Sequence, residues 1–128
     1  MSASSDVQTY ADRLYGAAHE RHPIPLLTLE RPISEREAYD IQWALVQRHL
    51  AAGGKIAGKK TGLTSKAKQI QMNTHEPLYA YLIDRTILND SAQVQRSAHI
   101  HPRVECEIAF VMAKQLHGPN VTGDQVLN

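Results

Sequence analysis

The stretch KIAGKKTGLTSKAKQIQM, residues 55–72, decides how the chain is built. Lys55 to Leu63 reads as a short strand interrupted by glycines. Thr64 or Ser65 then stands where a hydroxyl can cap a short helix over residues 66–72. A strand and a capped helix in such quick succession indicate the α+β class, provided that helices precede them and further strands follow.

Helices do precede them. Ser34 with Glu37 three residues later is a capping box: the hydroxyl accepts from the N3 amide and the carboxylate reaches back. Ala38, Ile41, Ala44, Leu45 and Val46 follow at helical spacing, and Tyr39, Trp43 and Leu50 widen the stripe. Gly53-Gly54 ends this helix, because glycine takes the left-handed terminal conformation without a Cβ clash. Further upstream, Pro23, Pro25 and Pro32 reject a helix and favour an extended linker. Before that linker, Val7, Tyr10, Ala11, Leu14, Ala17 and Ala18 form a helical stripe over residues 6–21, with Ser4 or Ser5 as cap.

Strands are also expected downstream. EPLYAYLIDRTIL, residues 76–88, reads as a strand or two broken near Asp84, and Asn89-Asp90-Ser91 is turn chemistry. RVECEIAFVMA, residues 103–113, alternates with period two. Val104, Cys106, Ile108, Phe110 and Met112 fall on one face, and Glu105, Glu107, Ala109 and Val111 on the other. The alternation predicts a strand with Cys106 as a small core residue, and Ala109 and Val111 as buried neighbours of the glutamates. His117-Gly118-Pro119-Asn120 breaks it, and Thr122 or Asp124 starts a new helix. The chain reaches Asn128 one turn into that helix, so it is expected to be the opening part of a larger domain.

Composition narrows the function classes. With 128 residues, 42% hydrophobic, 21% charged and a formal charge of +1, the chain is neither disordered nor a generic nucleic-acid or membrane-surface binder. One cysteine cannot form an intrachain disulfide, which points to a cytoplasmic address. The N-terminus lacks a secretory pattern, and no apolar run approaches the ~20 residues needed to span a bilayer.

Two features carry chemistry. On one strand face, Glu105 and Glu107 would place their Cα atoms ~6–7 Å apart, close enough for both carboxylates to reach one hard divalent cation. The competing reading is a solvated acidic face, which apolar neighbours on that side would argue against. The block GKKTGLTS, residues 58–65, joins lysines, glycines and hydroxyls and can cradle a small anion, although its order is not that of a P-loop. Its competing reading is a basic surface strand leading into a capped helix. His99-Ile100-His101 lacks a third ligand at zinc spacing, and no local cation activates Cys106 as a nucleophile.

Three blocks, GKKTGLTSKAKQIQM, EPLYAYLID and IHPRVECEIAFVMAKQLHGPNVT, together resemble the 2-oxo acid hydratase/decarboxylase family of the fumarylacetoacetate hydrolase superfamily. AYDIQWALVQRHLAAGGKIAGKK upstream matches as well, so the likeness runs from about Ser34 onward. The resemblance implies helices over 1–54, then over 55–128 the first part of a mixed β-sandwich/roll, incomplete here. It implies Mg2+ or Mn2+ held by Glu105 and Glu107, with a third carboxylate from a later strand that this chain does not contain. The family lysine aligns with Lys60, with Thr64 and Ser65 of the same block as substrate-binding candidates. Asp84, or a water, is the proton shuttle this resemblance suggests.

The implied reactions belong to meta-cleavage degradation of aromatic compounds. They are decarboxylation of 2-oxo-3-hexenedioate (4-oxalocrotonate) or hydration of 2-hydroxypenta-2,4-dienoate. In either, the metal chelates the 1-carboxylate and 2-oxo group of a small 2-oxo acid and stabilises the dienolate. Ala67-Lys68, Pro77-Leu78-Tyr79 and Ile100-His101-Pro102-Arg103 look more like decarboxylases. Lys59-Lys60 and Ser65-Lys66-Ala67 look like hydratases, and the balance favours the decarboxylase. Ala80 departs from the family's usual glycine. The likeness also implies a homo-oligomer or a hydratase–decarboxylase complex, and the near-neutral charge argues against nucleic acid or membrane as partner. Two other readings stand beside it: a non-catalytic fragment or partner subunit, and a metal-free small-anion module built on residues 58–65.

Overall fold

A computed structural model of the chain describes residues 5–127. The expected cap at Ser4 lies outside the described residues, and Ser5 is the first residue of α1 (Ser5–Glu20). α2 spans Glu35–Ala51, β1 Ile56–Gly62, α3 Lys66–Gln71, β2 Leu78–Ile83 and α4 Gly123–Leu127. Short 3-10 turns lie at Leu27–Leu29, Asp84–Thr86 and Arg96–Ala98. The α+β class expected from the sequence is present as helices beside an antiparallel two-stranded sheet.

The capping predictions describe the helix starts. Ser34 Oγ accepts from the Glu37 amide at 3.2 Å, and Ser65 Oγ accepts from the Lys68 amide at 3.3 Å. At α4, Thr122 Oγ1 accepts from the Gln125 amide at 3.4 Å while Gln125 Oε1 accepts from the Thr122 amide at 2.8 Å. That is a reciprocal capping box in which Gln125 is the partner the sequence reading did not single out.

The first three helices also share one kind of ending. His22 N, Gly54 N and Thr74 N donate to Ala17 O, His49 O and Gln69 O at 3.0, 2.9 and 2.9 Å. The residue before each donor, Arg21, Gly53 or Asn73, has φ of 57°, 83° or 51°. These are Schellman closures, with glycine or asparagine in the usual place and Arg21 as the exception. A Cβ on Gly54 would lie 2.9 Å from His49 O and 3.0 Å from Ile83 Cγ2, so only glycine lets β2 approach the helix end.

α1 and α2 run side by side in the same direction. Val7, Tyr10, Ala11, Ile41 and Ala44 form the buried cluster, and Leu14, Leu27, Ile33 and Leu45 pack against it. Asp12 pairs with Arg48, and Tyr15 meets His49 edge-on at 5.1 Å. The proline segment returns along α1, where Arg13 pairs with Glu30 at 2.6 Å and Arg31 pairs with Glu37 and, at 3.6 Å, with Asp6. Hydrogen bonds from these arginines hold the Glu30 and Glu37 carboxyls below their ordinary range.

β1 and β2 pair antiparallel, with Lys59 opposite Tyr81, Lys60 opposite Ala80 and Thr61 opposite Tyr79, and a bulge between Ile56 and Gly58. Ala80 sits in regular ladder without a left-handed φ, so its departure from the family's glycine leaves the backbone path unaltered. α2 guards the outer edge of β2: Gln42 Nε2 donates to Tyr79 O at 3.1 Å, and the Tyr79 amide donates to Tyr39 Oη at 3.4 Å. Side chains thus satisfy edge groups that would otherwise invite another strand.

The strand expected over residues 103–113 does not form. This segment has no regular structure and every residue in it is exposed, Val104 by 97% and Val111 by 98%. A strand exists only when its amides and carbonyls find a neighbouring ladder, and among the described residues the sheet contains β1 and β2 alone. Cys106 is exposed rather than a core residue. Ala109 and Val111 do not bury the glutamates, so desolvation is not what brings these acids together.

Candidate functional site

The site is built where β1 meets the 103–113 segment. Lys60 is on β1, held in register by the Ala80 pairing. Its Nζ donates to Glu105 Oε2 at 3.1 Å and to Glu107 Oε1 at 3.4 Å. The three side chains are 45%, 67% and 61% exposed, so the cluster is open to ions and small molecules. Glu105, first through its hydrogen bond and then through its charge, raises the Lys60 ammonium above its ordinary value; burial opposes it, and Glu107 adds smaller contributions. The two glutamates reach the same ammonium although their segment pairs with no strand.

Lys59, the neighbouring lysine, points elsewhere. Its Nζ lies 5.1 Å from the Tyr79 ring centre and 5.3 Å from that of Tyr81. Tyr79 stacks on Tyr39 of α2 at 4.8 Å, and Tyr81 meets Trp43 at 5.5 Å. Adjacent strand residues face opposite sides. One lysine therefore fastens the sheet to α2 through its aromatic rings, and the other meets the carboxylates.

Ser65 caps α3 with its hydroxyl, and Thr64 is an exposed residue of the turn between β1 and α3. Leu63 takes a left-handed φ of 55° in that turn. Gln69, buried to 3% exposure, fixes it by donating from Nε2 to Leu63 O at 2.8 Å, and its Oε1 accepts from Lys66 Nζ at 3.0 Å. Nothing in the sequence marks Gln69, because burial beneath a turn leaves no local signal.

Asp84 is not brought to Lys60. It lies at the opposite end of the hairpin, beside Lys55, five residues or roughly 17 Å of strand from Lys60. Its Oδ1 accepts from the Lys55 and Arg85 amides, both at 2.9 Å, and the Lys55 bond chiefly keeps its carboxyl below the ordinary range. Arg85 Nη2 donates to Ala52 O at 2.5 Å, tying this end of the hairpin to the terminus of α2.

An apolar cavity of about 500 Å3 opens beside Lys60, between α2 and the hairpin. Tyr39, Gln42, Thr61, Leu78, Tyr79 and Ala80 wall it. It is a second use of the α2 edge that guards β2.

Hard carboxylate oxygens are the donors Mg2+ and Ca2+ prefer. The Lys60 ammonium between Glu105 and Glu107 shows that the pair converges on one positive charge. The donor set fits a divalent cation on this ground. Among the described residues, no group of three or more His, Cys, Asp or Glu side chains is placed to hold a metal, and the pair Glu105 and Glu107 is what the described residues offer here.

No family model matches the chain. It is 40% identical over 122 residues to 4-oxalocrotonate decarboxylase of Pseudomonas sp. strain CF600, covering 94% of this chain and 46% of the relative. It is 40% identical over 123 residues to 2-hydroxypent-2,4-dienoate hydratase of Pseudomonas putida, covering 94% and 55%. Among solved structures, 4-oxalocrotonate decarboxylase of Pseudomonas putida G7, complexed with calcium and acetate, superposes with a TM-score of 0.62 at 36% identity. That match covers 66% of this chain and 33% of the other. The same enzyme complexed with magnesium and adipate gives the same values.

These comparisons relate the chain, along nearly all its length, to the 2-oxo acid hydratases and decarboxylases. It spans about half the length of the curated relatives it matches.

Proposed function

We propose that the chain contributes the Glu105–Glu107 half of a divalent-cation site in a lyase acting on small unsaturated 2-oxo acids. The observation that carries this reading is the convergence of both glutamates on Lys60, at 3.1 and 3.4 Å. Glu105 and Glu107 would hold the cation, with waters completing its shell. Mg2+ has the first claim, since magnesium and calcium are bound in the solved relative, and Mn2+ is an alternative of the same hardness. When bound, the cation supplies Lewis-acid polarisation of a 2-oxo acid. Lys60 places a positive charge where a substrate carboxylate or a developing enolate oxygen needs one. Thr64 and Ser65 offer hydroxyls in the adjoining turn, and the cavity walled by Tyr39 and Leu78 has room for a short carbon chain. Asp84 enters as a hairpin clasp, with proton transfer the role that the resemblance gives it.

Decarboxylation of 2-oxo-3-hexenedioate is the preferred reaction, because the superposed solved structures are decarboxylases. The hydratase reading keeps its place through the hydratase relative matched at the same 40% identity. In this proposal residues 1–54 are a helical region and residues 55–128 open a roll of the fumarylacetoacetate hydrolase type. Association with a further copy or a partner enzyme would cover Val104, Ile108 and Phe110, exposed by 97%, 86% and 63%. Among the described residues no helix is long and apolar enough to cross a membrane. The test offers 2-oxo-3-hexenedioate and 2-hydroxypenta-2,4-dienoate separately with Mg2+. Carbon dioxide release from the first supports the decarboxylase, loss of the second supports the hydratase, and inertness toward both removes catalysis from this chain.

A further inference from the structure

We infer that Lys60 is the resident counter-cation of the Glu105–Glu107 pair, and that a divalent cation must compete with its ammonium for those two carboxylates. The inference rests on the metal-site reading above and adds an order of events to it. Two like charges near one another repel, and Lys60 offsets that repulsion from a position 45 and 47 residues away in sequence. The segment carrying both glutamates has no strand pairing, and these two hydrogen bonds join it to the hairpin. Lys60 is fixed by its ladder position opposite Ala80, whereas the glutamates sit on irregular backbone. A cation bound to the pair takes oxygens that Lys60 now uses and repels the ammonium. Loading the site therefore frees Lys60 to meet an anionic substrate, so cation binding precedes productive binding of the 2-oxo acid.

Isothermal titration of the full chain with Mg2+, and separately with Ca2+, tests this. Lys60→Met should tighten cation binding roughly threefold to tenfold, the effect of removing two exposed ion pairs. Unchanged or weaker binding in Lys60→Met, with binding still lost in Glu105→Gln/Glu107→Gln, overturns the competition and leaves the site standing. Binding that survives the double glutamine variant overturns the site itself. A second readout follows the Lys60 ammonium resonance by 15N NMR, assigned through Lys60→Met. Its chemical shift should move on adding Mg2+ and saturate with the same Kd as the titration. A resonance that stays still while calorimetry reports binding at the glutamates contradicts the inference.

Discussion

β2 and residues 103–113 are both written as strands, yet one of them forms and the other does not. β2, Leu78–Ile83, has β1 on one edge and the Tyr39 and Gln42 side chains on the other. Residues 103–113 alternate more strictly but stand exposed without a ladder. Alternation encodes the wish to pair, and pairing itself depends on what the rest of the chain provides. The site straddles this contrast: Lys60 belongs to the ordered side, and Glu105 and Glu107 to the open one.

Amide hydrogen exchange should break the contrast open most visibly. β2 amides paired to β1 should be protected by orders of magnitude, while residues 103–113 exchange at nearly unprotected rates. Equal protection in both would mean that the segment has found a ladder. Core truncation comes next. Ile41→Ala, at a residue 4% exposed, should cost ~2–5 kcal/mol in a denaturant melt. Ile108→Ala, at a residue 86% exposed, should stay within ~0.5 kcal/mol. Ser34→Ala removes the α2 cap and should cost ~1 kcal/mol, read in the same melt.

The smallest effect is a pH dependence confined to the ordered side. Glu30, Glu37 and Asp84 are held below their ordinary values in the folded chain. A depressed carboxyl contributes stability that is complete above its unfolded pKa and is lost as pH falls through the folded one. Stability should therefore decline as pH drops below the ordinary carboxyl values of 4.5 and 3.8. Arg31→Met should flatten that decline by releasing Glu37, and an unchanged acid limb in its melts would count against the Arg31 pairing.

What could be read from sequence follows the same division. α1, α2, β1, α3 and β2 announce themselves because caps, apolar spacing and glycines act within a few residues of each other. Ser34 with Glu37 is such a signal, and Gly53-Gly54 is another. Residues 103–113 misled because their alternation describes a strand in the company of others. The Tyr39 and Gln42 clamp on Tyr79, 40 and 37 residues away, carries no local mark, and neither does Gln69 beneath the Leu63 turn. The Glu105–Glu107 spacing left a cation site and a solvated acidic face both open, and the resemblance chose between them. That Lys60 belongs with them in one site was read only through a resemblance joining three separated blocks, and its contact with both carboxylates came from the structure. Asp84 was drawn into the site by the same resemblance, and the hairpin places it at the other end.

The central claim is that Glu105 and Glu107 hold the cation on which turnover of a 2-oxo acid depends. It is tested most directly by following consumption of 2-oxo-3-hexenedioate against Mg2+ concentration, for the unaltered chain and for Glu105→Gln/Glu107→Gln. The account predicts saturable Mg2+-dependent turnover that falls by at least about a hundredfold in the double variant. Turnover that persists in that variant, or that ignores chelation of the metal, would contradict it.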